Sequence, residues 1–257
     1  MPDSPRWRRP LAAVLAACGL AASLQGCGGS GTATLTVLGA SSLTEVMAEL
    51  AATYDRTHPR VRVRAEFGGS QEMVARLGDH ERGDVLVTAG EAAMTKAKAY
   101  LTERRRVVAH NSLTIAVAPG NPRRVTGLAD LARPGLRVTV GAASNPAGVY
   151  ARQIFARAGL QVRWTSEEIS ARAVLDRVRG GRADAGLVYI TDMRSAGIAA
   201  DSVPIPADAN VTATYPAAAV KGGDHEEEAE AFVGWLASAE AAQVFHKYGF
   251  ATPTPPK

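Results

Sequence analysis

From Thr34 almost to the C-terminus, short apolar runs alternate with amphipathic stretches. That alternation is the pattern of strands crossed by helices in a mostly parallel sheet, an α/β class. Thr34 to Leu38 reads as a buried strand. Leu43, Val46, Met47, Leu50 and Tyr54 then recur at helical spacing until His58-Pro59 stops the helix. Val61, Val63, Ala65 and Phe67 alternate with Arg62, Arg64 and Glu66, which predicts a strand with one face exposed. Gly68-Gly69-Ser70 turns that strand into a helix carrying Met73, Val74 and Leu77. Asp84 to Ala89 supplies a third strand, and Glu91 to Leu101 a further helix.

Val107 to Ala118 is a long apolar stretch ending at Pro119-Gly120, long enough to leave one lobe and enter another. A second series follows. Leu136 to Val140 is expected as a strand, Ser144-Asn145-Pro146 as the opening of a helix, and Ser170 as the start of another that ends at Gly180-Gly181. Ala185 to Ile190 is again a strand, Val211 to Val220 an extended return, and Glu226 to Tyr248 a helix closed by Gly249 before a frayed Pro-rich tail. A chain that starts in one lobe, crosses and returns gives two lobes joined by two crossover strands. The expected division is 34–112 with 216–257 as the first lobe and 113–215 as the second. Such a body can hinge around a ligand.

The N-terminus departs from this pattern. Arg6, Arg8 and Arg9 precede an uncharged run from Leu11 to Leu24, too short to cross a bilayer as a stable helix, which is the form of a secretory signal. Leu24-Gln25-Gly26-Cys27 resembles the bacterial lipoprotein cleavage box, with Gln25 an unusual spacer. Residues 1–26 are then a signal peptide, Cys27 the lipid-carrying first residue, and 27–33 a tether. The expected location is outside the cytoplasm, on a membrane and facing the periplasm or the cell exterior. Simple secretion with a free thiol is the plainer alternative.

Cys18 lies in the removed segment, so the folded body has no cysteine for a disulfide, a thiolate metal site or a nucleophile. Loss of Asp3 and three arginines leaves 26 basic and 24 acidic residues, a net of +2, which points to no nucleic-acid partner. The 257 residues, 46% hydrophobic and 21% charged, suit an ordinary globular body rather than a disordered or fibrous one.

Candidate chemistry gathers at strand-to-helix junctions: Ser41-Ser42, Gly68-Gly69-Ser70, and Asn145-Pro146-Ala147-Gly148. Each puts free backbone N–H groups at a helix start, where the helix dipole favours an anion and a serine hydroxyl adds an uncharged donor. Taken alone, Ser42 or Ser70 is a helix cap. Their repetition at carboxyl ends of strands, where open α/β sheets place ligands, is what suggests a site. Tyr189 ends a strand in the corresponding position, with packing as its ordinary role.

Read in order, Leu38-Gly39-Ala40-Ser41-Ser42-Leu43-Thr44, Phe67-Gly68-Gly69-Ser70, Pro146-Ala147-Gly148-Val149-Tyr150, Gly186 to Asp192 and Tyr248-Gly249-Phe250 resemble the periplasmic molybdate-binding proteins of ABC importers. The resemblance spans Thr34 to Phe250. It implies the two-lobed, type II periplasmic-binding-protein-like fold and an oxyanion held by Ser42 and Ser70 from the first lobe. From the second lobe it implies the Ala147 N–H, the Tyr189 phenol and, by spacing, the Ala171 N–H. It further implies molybdate, with tungstate, as ligand, a membrane permease as partner, a monomer, and no cofactor. Two segments depart from the family pattern, Ser170-Ala171-Arg172 and Gly68-Gly69-Ser70-Gln71; the second leaves fewer hydroxyls near the ion.

Other readings fare worse. A hydrolase needs a serine activated by histidine, and the sequence has no Gly-x-Ser-x-Gly elbow. Its five histidines show no metal-ligand spacing, and no phosphate-binding Gly-x-x-x-x-Gly-Lys loop occurs. Sulfate or another oxyanion remains the runner-up ligand, because sulfate and molybdate share charge and shape. A non-binding structural lipoprotein is the competitor from another class.

Overall fold

The computed structural model describes residues 32–79 and 81–253, so the expected signal segment, Cys27 and the last four residues lie outside the described residues. Among the described residues, nine strands and eight α-helices follow in order. The strands are β1 (Ala33–Ala40), β2 (Val61–Gly68), β3 (Val85–Val87), β4 (Arg106–Val117), β5 (Val138–Gly141), β6 (Trp164–Glu168), β7 (Ala185–Tyr189), β8 (Asp201–Val203) and β9 (Thr212–Ala219). The helices are α1 (Thr44–Thr57), α2 (Ser70–Gly78), α3 (Glu91–Lys96), α4 (Pro146–Arg157), α5 (Ala171–Arg179), α6 (Asp192–Ala196), α7 (Glu226–Leu236) and α8 (Ala239–Lys247).

The sheet order is β2-β1-β3-β9-β4-β7-β5-β6, with β8 paired to β4. It is mixed rather than mostly parallel. β1 pairs in parallel with β2 and β3, and β5 with β6 and β7, but β9 runs antiparallel to β3 and β4, and β4 antiparallel to β7 and β8. The antiparallel strands are the long connections between the two βα series, and a returning strand must run against its partner.

β4 belongs to both halves. Arg106 to Ser112 pair with β9, whereas Leu113 to Val117 pair with β7. At the change of partner the Asn210 side chain takes the place of a strand: its Oδ1 accepts the Leu113 N–H at 3.3 Å and its Nδ2 donates to the Leu113 carbonyl at 2.8 Å. The backbone therefore stays satisfied where the sheet changes direction.

Periodicity decided most elements. β2 buries Val61 and Val63 and exposes Arg62 and Arg64, as alternation requires. α1 buries Val46, Met47, Leu50 and Tyr54; the Tyr54 ring lies 4.8 Å from Phe232 and 5.2 Å from Trp235, pinning α1 to α7.

Five elements differ from the sequence reading. The C-terminal helix is two, because the Ser238 side chain accepts from the Ala241 N–H and starts α8 afresh. The helix expected over Glu91 to Leu101 ends at Lys96, followed by a 3₁₀ turn at Lys98–Tyr100. β6, β8 and α6 are additional.

Each half repeats one device at the foot of a central strand. Asp84 Oδ2 accepts the Thr36 N–H at 2.7 Å, and Asp184 Oδ2 accepts the Arg137 N–H at 2.9 Å. The Arg137 guanidinium, with Oδ1 of Asp184 at 2.8 Å from its Nη2, holds that carboxyl down to about 2. Its contribution to stability is present above the ordinary value of 3.8 and is lost as pH falls towards 2. No helix among the described residues is long and apolar enough to cross a membrane.

Candidate functional site

Five junctions converge on one small cavity. It is lined by Ser41-Ser42 after β1, Gly68-Gly69-Ser70 between β2 and α2, Asn145-Pro146-Ala147 before α4, Ile169-Ser170-Ala171 before α5, and Tyr189 at the end of β7. Ser42, Ser70, Ala147, Ala171 and Tyr189 thus line the same space. Its volume is about 20 Å³, just above the roughly 10–15 Å³ one water needs. The two halves meet closely here: a Cβ placed on Gly69 would lie 3.4 Å from the Ile169 carbonyl oxygen.

The helix caps decide which N–H groups remain for a ligand. Pro146 is the first residue of α4 and has no N–H, and Asn145 Oδ1 accepts the Gly148 N–H at 3.0 Å, which leaves Ala147 as the first-turn donor. In α5 the Ser170 Oγ accepts the Ala173 N–H at 3.2 Å, which leaves the Ala171 N–H to the cavity. Gly69 caps α2 and has no side chain to occupy the first-turn N–H groups of Ser70 and Gln71.

No lining side chain is charged. The hydroxyls supply the directional chemistry. Ser70 is almost fully buried, and its oxygen accepts the Ala89 N–H at 3.0 Å, so its proton is free for another partner. Ser42 Oγ lies 2.8 Å from Tyr215 Oη.

Tyr189 is 3% exposed, and its hydroxyl is buried without a hydrogen-bond partner among the described residues. Burial raises its pKa well above the usual phenol value, and Tyr215, Tyr150 and Asp192 add to the rise. Tyr215 does so from a position that does not meet hydrogen-bond geometry. A neutral phenol at the cavity wall is a donor in search of an acceptor.

Beside the cavity, Asp192 Oδ2 accepts the Tyr189 N–H at 3.0 Å. Burial pushes the Asp192 carboxyl up to about 7, against the pull of that N–H and of Arg172, while Glu45 and Asp176 add to the rise. Native protein therefore holds a proton here from about 3.8 to about 7 that the unfolded chain has released, and stability falls as pH rises through that window. In Asp192→Asn, which keeps an acceptor for Tyr189, the melting temperature should decline less between pH 4 and 7 than in wild type. An unchanged slope would refute this assignment.

A larger cavity, about 600 Å³, lies between Thr32, Thr34 and Thr36 at the start of β1, Asp84 and Lys221–His225. Charges of both signs line it, and it lacks the convergent helix starts of the small one. The small cavity carries the chemistry. No group of His, Cys, Asp and Glu among the described residues could hold a metal ion. Asn111, Asn145, Ser170 and Tyr215 also shape the site. The two caps had a signal in Ser/Asn before a helix, but Asn111 and Tyr215 sit inside strands with none.

The family model described as "Bacterial extracellular solute-binding protein" matches residues 35–251, nearly the whole described body. The chain belongs to that family. Its relatives include the Molybdate-binding protein ModA of Mycobacterium tuberculosis (strain ATCC 25618 / H37Rv), 34% identical over 247 residues and 95% of each chain. Another is the Putative ABC transporter substrate-binding lipoprotein YvgL of Bacillus subtilis (strain 168), 28% identical over 84% of this chain and 86% of its own. Among solved structures, the periplasmic molybdate-binding protein of Azotobacter vinelandii superposes with a TM-score of 0.72 at 20% identity, over 86% of this chain and 100% of that one. That likeness establishes the fold, the two-lobed type II periplasmic-binding-protein-like α/β architecture. The family is one of solute-binding proteins and not an enzyme family.

Proposed function

We propose that this solute-binding protein captures molybdate, and tungstate with it, in the cavity between its two halves and delivers it to the permease of an ABC importer. The observation that carries the reading is the unpartnered Tyr189 hydroxyl on a cavity whose side chains hold no charge and whose other donors are serine hydroxyls and first-turn N–H groups. Such a wall neutralises a dianion through dipoles alone. The names of the relatives support molybdate.

The mechanism we propose is a clamp. The ion first meets Ser42 and Ser70, and the N–H groups of Ala147 and Ala171 with the Tyr189 phenol complete its shell on closure. Its differential contacts stabilise the closed form. The change of partner between Ser112 and Leu113 supports the first boundary of the division into 34–112 with 216–257 and 113–215, and the pairing of β9 with the first half of β4 supports a return of the chain to the first lobe along β9. We further propose that residues 1–26 are removed and that Cys27 carries lipid, a reading supported by the Leu24-Gln25-Gly26-Cys27 order and the lipoprotein name of the Bacillus relative.

Molybdate and tungstate should raise the melting temperature, as any ligand of the native state does; at a hundredfold excess over Kd the gain is about 2.7 kcal/mol. Sulfate should act more weakly. Ser42→Ala and Ser70→Ala should each weaken binding by roughly 1–3 kcal/mol in calorimetry, because a buried donor to the ion is lost. Ser70→Ala should also lower the melting temperature, since the Ala89 N–H loses its acceptor. Wild-type affinity in both variants would reject the site. A larger shift with sulfate than with molybdate would reject the ion.

A further inference from the structure

Behind Ser42 lies a buried chain of polar groups to which Asn111 gives a direction. It starts at Asn111 on β4, whose Oδ1 accepts the Ser112 N–H at 2.9 Å. Exchanging the two ends of the amide would set N–H against N–H there. Nδ2 therefore faces two oxygens, Thr191 Oγ1 at 2.8 Å and Tyr215 Oη at 3.4 Å. An amide nitrogen only donates, so Tyr215 Oη accepts a hydrogen bond from Asn111 and still has its own O–H to donate. Ser42 Oγ, at 2.8 Å, is the acceptor placed to take it, since Tyr189 Oη lies outside hydrogen-bond geometry.

Tyr215 is fully buried and Asn111 is 4% exposed, so water does not compete along this chain. With its oxygen engaged by the phenol, Ser42 has its proton left for the cavity. We propose that Tyr215, oriented by Asn111, is a positioning residue that fixes Ser42 as a donor and so makes the site favour oxyanions that carry no proton over those that carry one. Alone, a serine hydroxyl both donates and accepts, and could turn its oxygen to the proton of hydrogen phosphate. Ser70 needs no such phenol, because the Ala89 N–H already occupies its oxygen. This inference rests on the oxyanion reading above.

The test is calorimetry at pH 7 with molybdate, with phosphate measured by competition against molybdate. It compares wild type, Tyr215→Phe, Ser42→Ala and the double variant. Tyr215→Phe should lose about tenfold in molybdate affinity and less for phosphate, narrowing the preference at least about threefold. In the Ser42→Ala background the same change should move neither value. Asn111→Leu frees the phenol to rotate and should narrow the preference to a smaller extent; it carries the test if melting shows that Tyr215→Phe does not fold. A preference unchanged in the folded variants, or losses that simply add in the double variant, would overturn the relay and leave the site standing. If wild type binds neither ion, the site reading fails and the relay falls with it.

Discussion

Tyr189→Phe should weaken molybdate binding by about 10- to 100-fold while leaving the ion-free protein as stable as wild type, or about 1 kcal/mol more stable. The two effects have opposite signs because the hydroxyl is buried without a partner among the described residues. In the absence of an acceptor it bears a desolvation cost that nothing offsets, and phenylalanine removes that cost at nearly the same volume. With a dianion in the cavity the same hydroxyl becomes a charge-assisted donor. Its raised pKa keeps it protonated across the physiological range, so the loss should be independent of pH between 6 and 9. Calorimetry on the variant, together with denaturant unfolding in ion-free buffer, checks both halves. Unchanged affinity would remove Tyr189 from the site; a clear loss of ion-free stability would mean that the hydroxyl has a structural partner.

Gly148→Ala should do the greatest damage of any single methyl group added near the cavity. A Cβ at this position would lie 2.0 Å from the Ala142 carbonyl oxygen and 2.2 Å from that of Gly141, both backbone atoms with no flexible end to move aside. The first turn of α4 would have to lift off the end of β5, and the Ala147 N–H would move with it. We expect a stability loss of about 3 kcal/mol or more and molybdate binding too weak to measure. Unfolding curves and calorimetry are the readouts. Near-wild-type binding would show that α4 can shift without disturbing the donors, against the view that close helix–strand packing sets their position.

How much of this was legible beforehand varies by element, and the physical reason is the range of the interactions. β2 and α1 were readable because their burial pattern follows local period, two for a strand and 3.6 for a helix. β6 was not. Thr165, Ser166, Glu167 and Glu168 give it no apolar alternation, and it forms because β5 offers an unpaired edge. The break before α8 had a signal in Ser238, but a continuous apolar face on either side of it masked the cap.

The same division holds at the site. Helix starts with their serines and their Asn-Pro are local features, so the order of the residues along the chain already marks the junctions of Ser42, Ser70 and Ala147 and the strand end at Tyr189, and the family resemblance adds Ala171. That β1, β2, β5, β6 and β7 deliver those five to one cavity follows from sheet order, which depends on pairings more than a hundred residues apart. The direction of the hydrogen bonds behind Ser42 lies further still from the sequence. Asn111 and Tyr215 are separated by 104 positions, and each occupies a strand interior, where a polar group can equally face solvent or the core. Local chemistry was fixed by the order of the residues; which donors face one another, and with what polarity, was decided by the packing of distant strands.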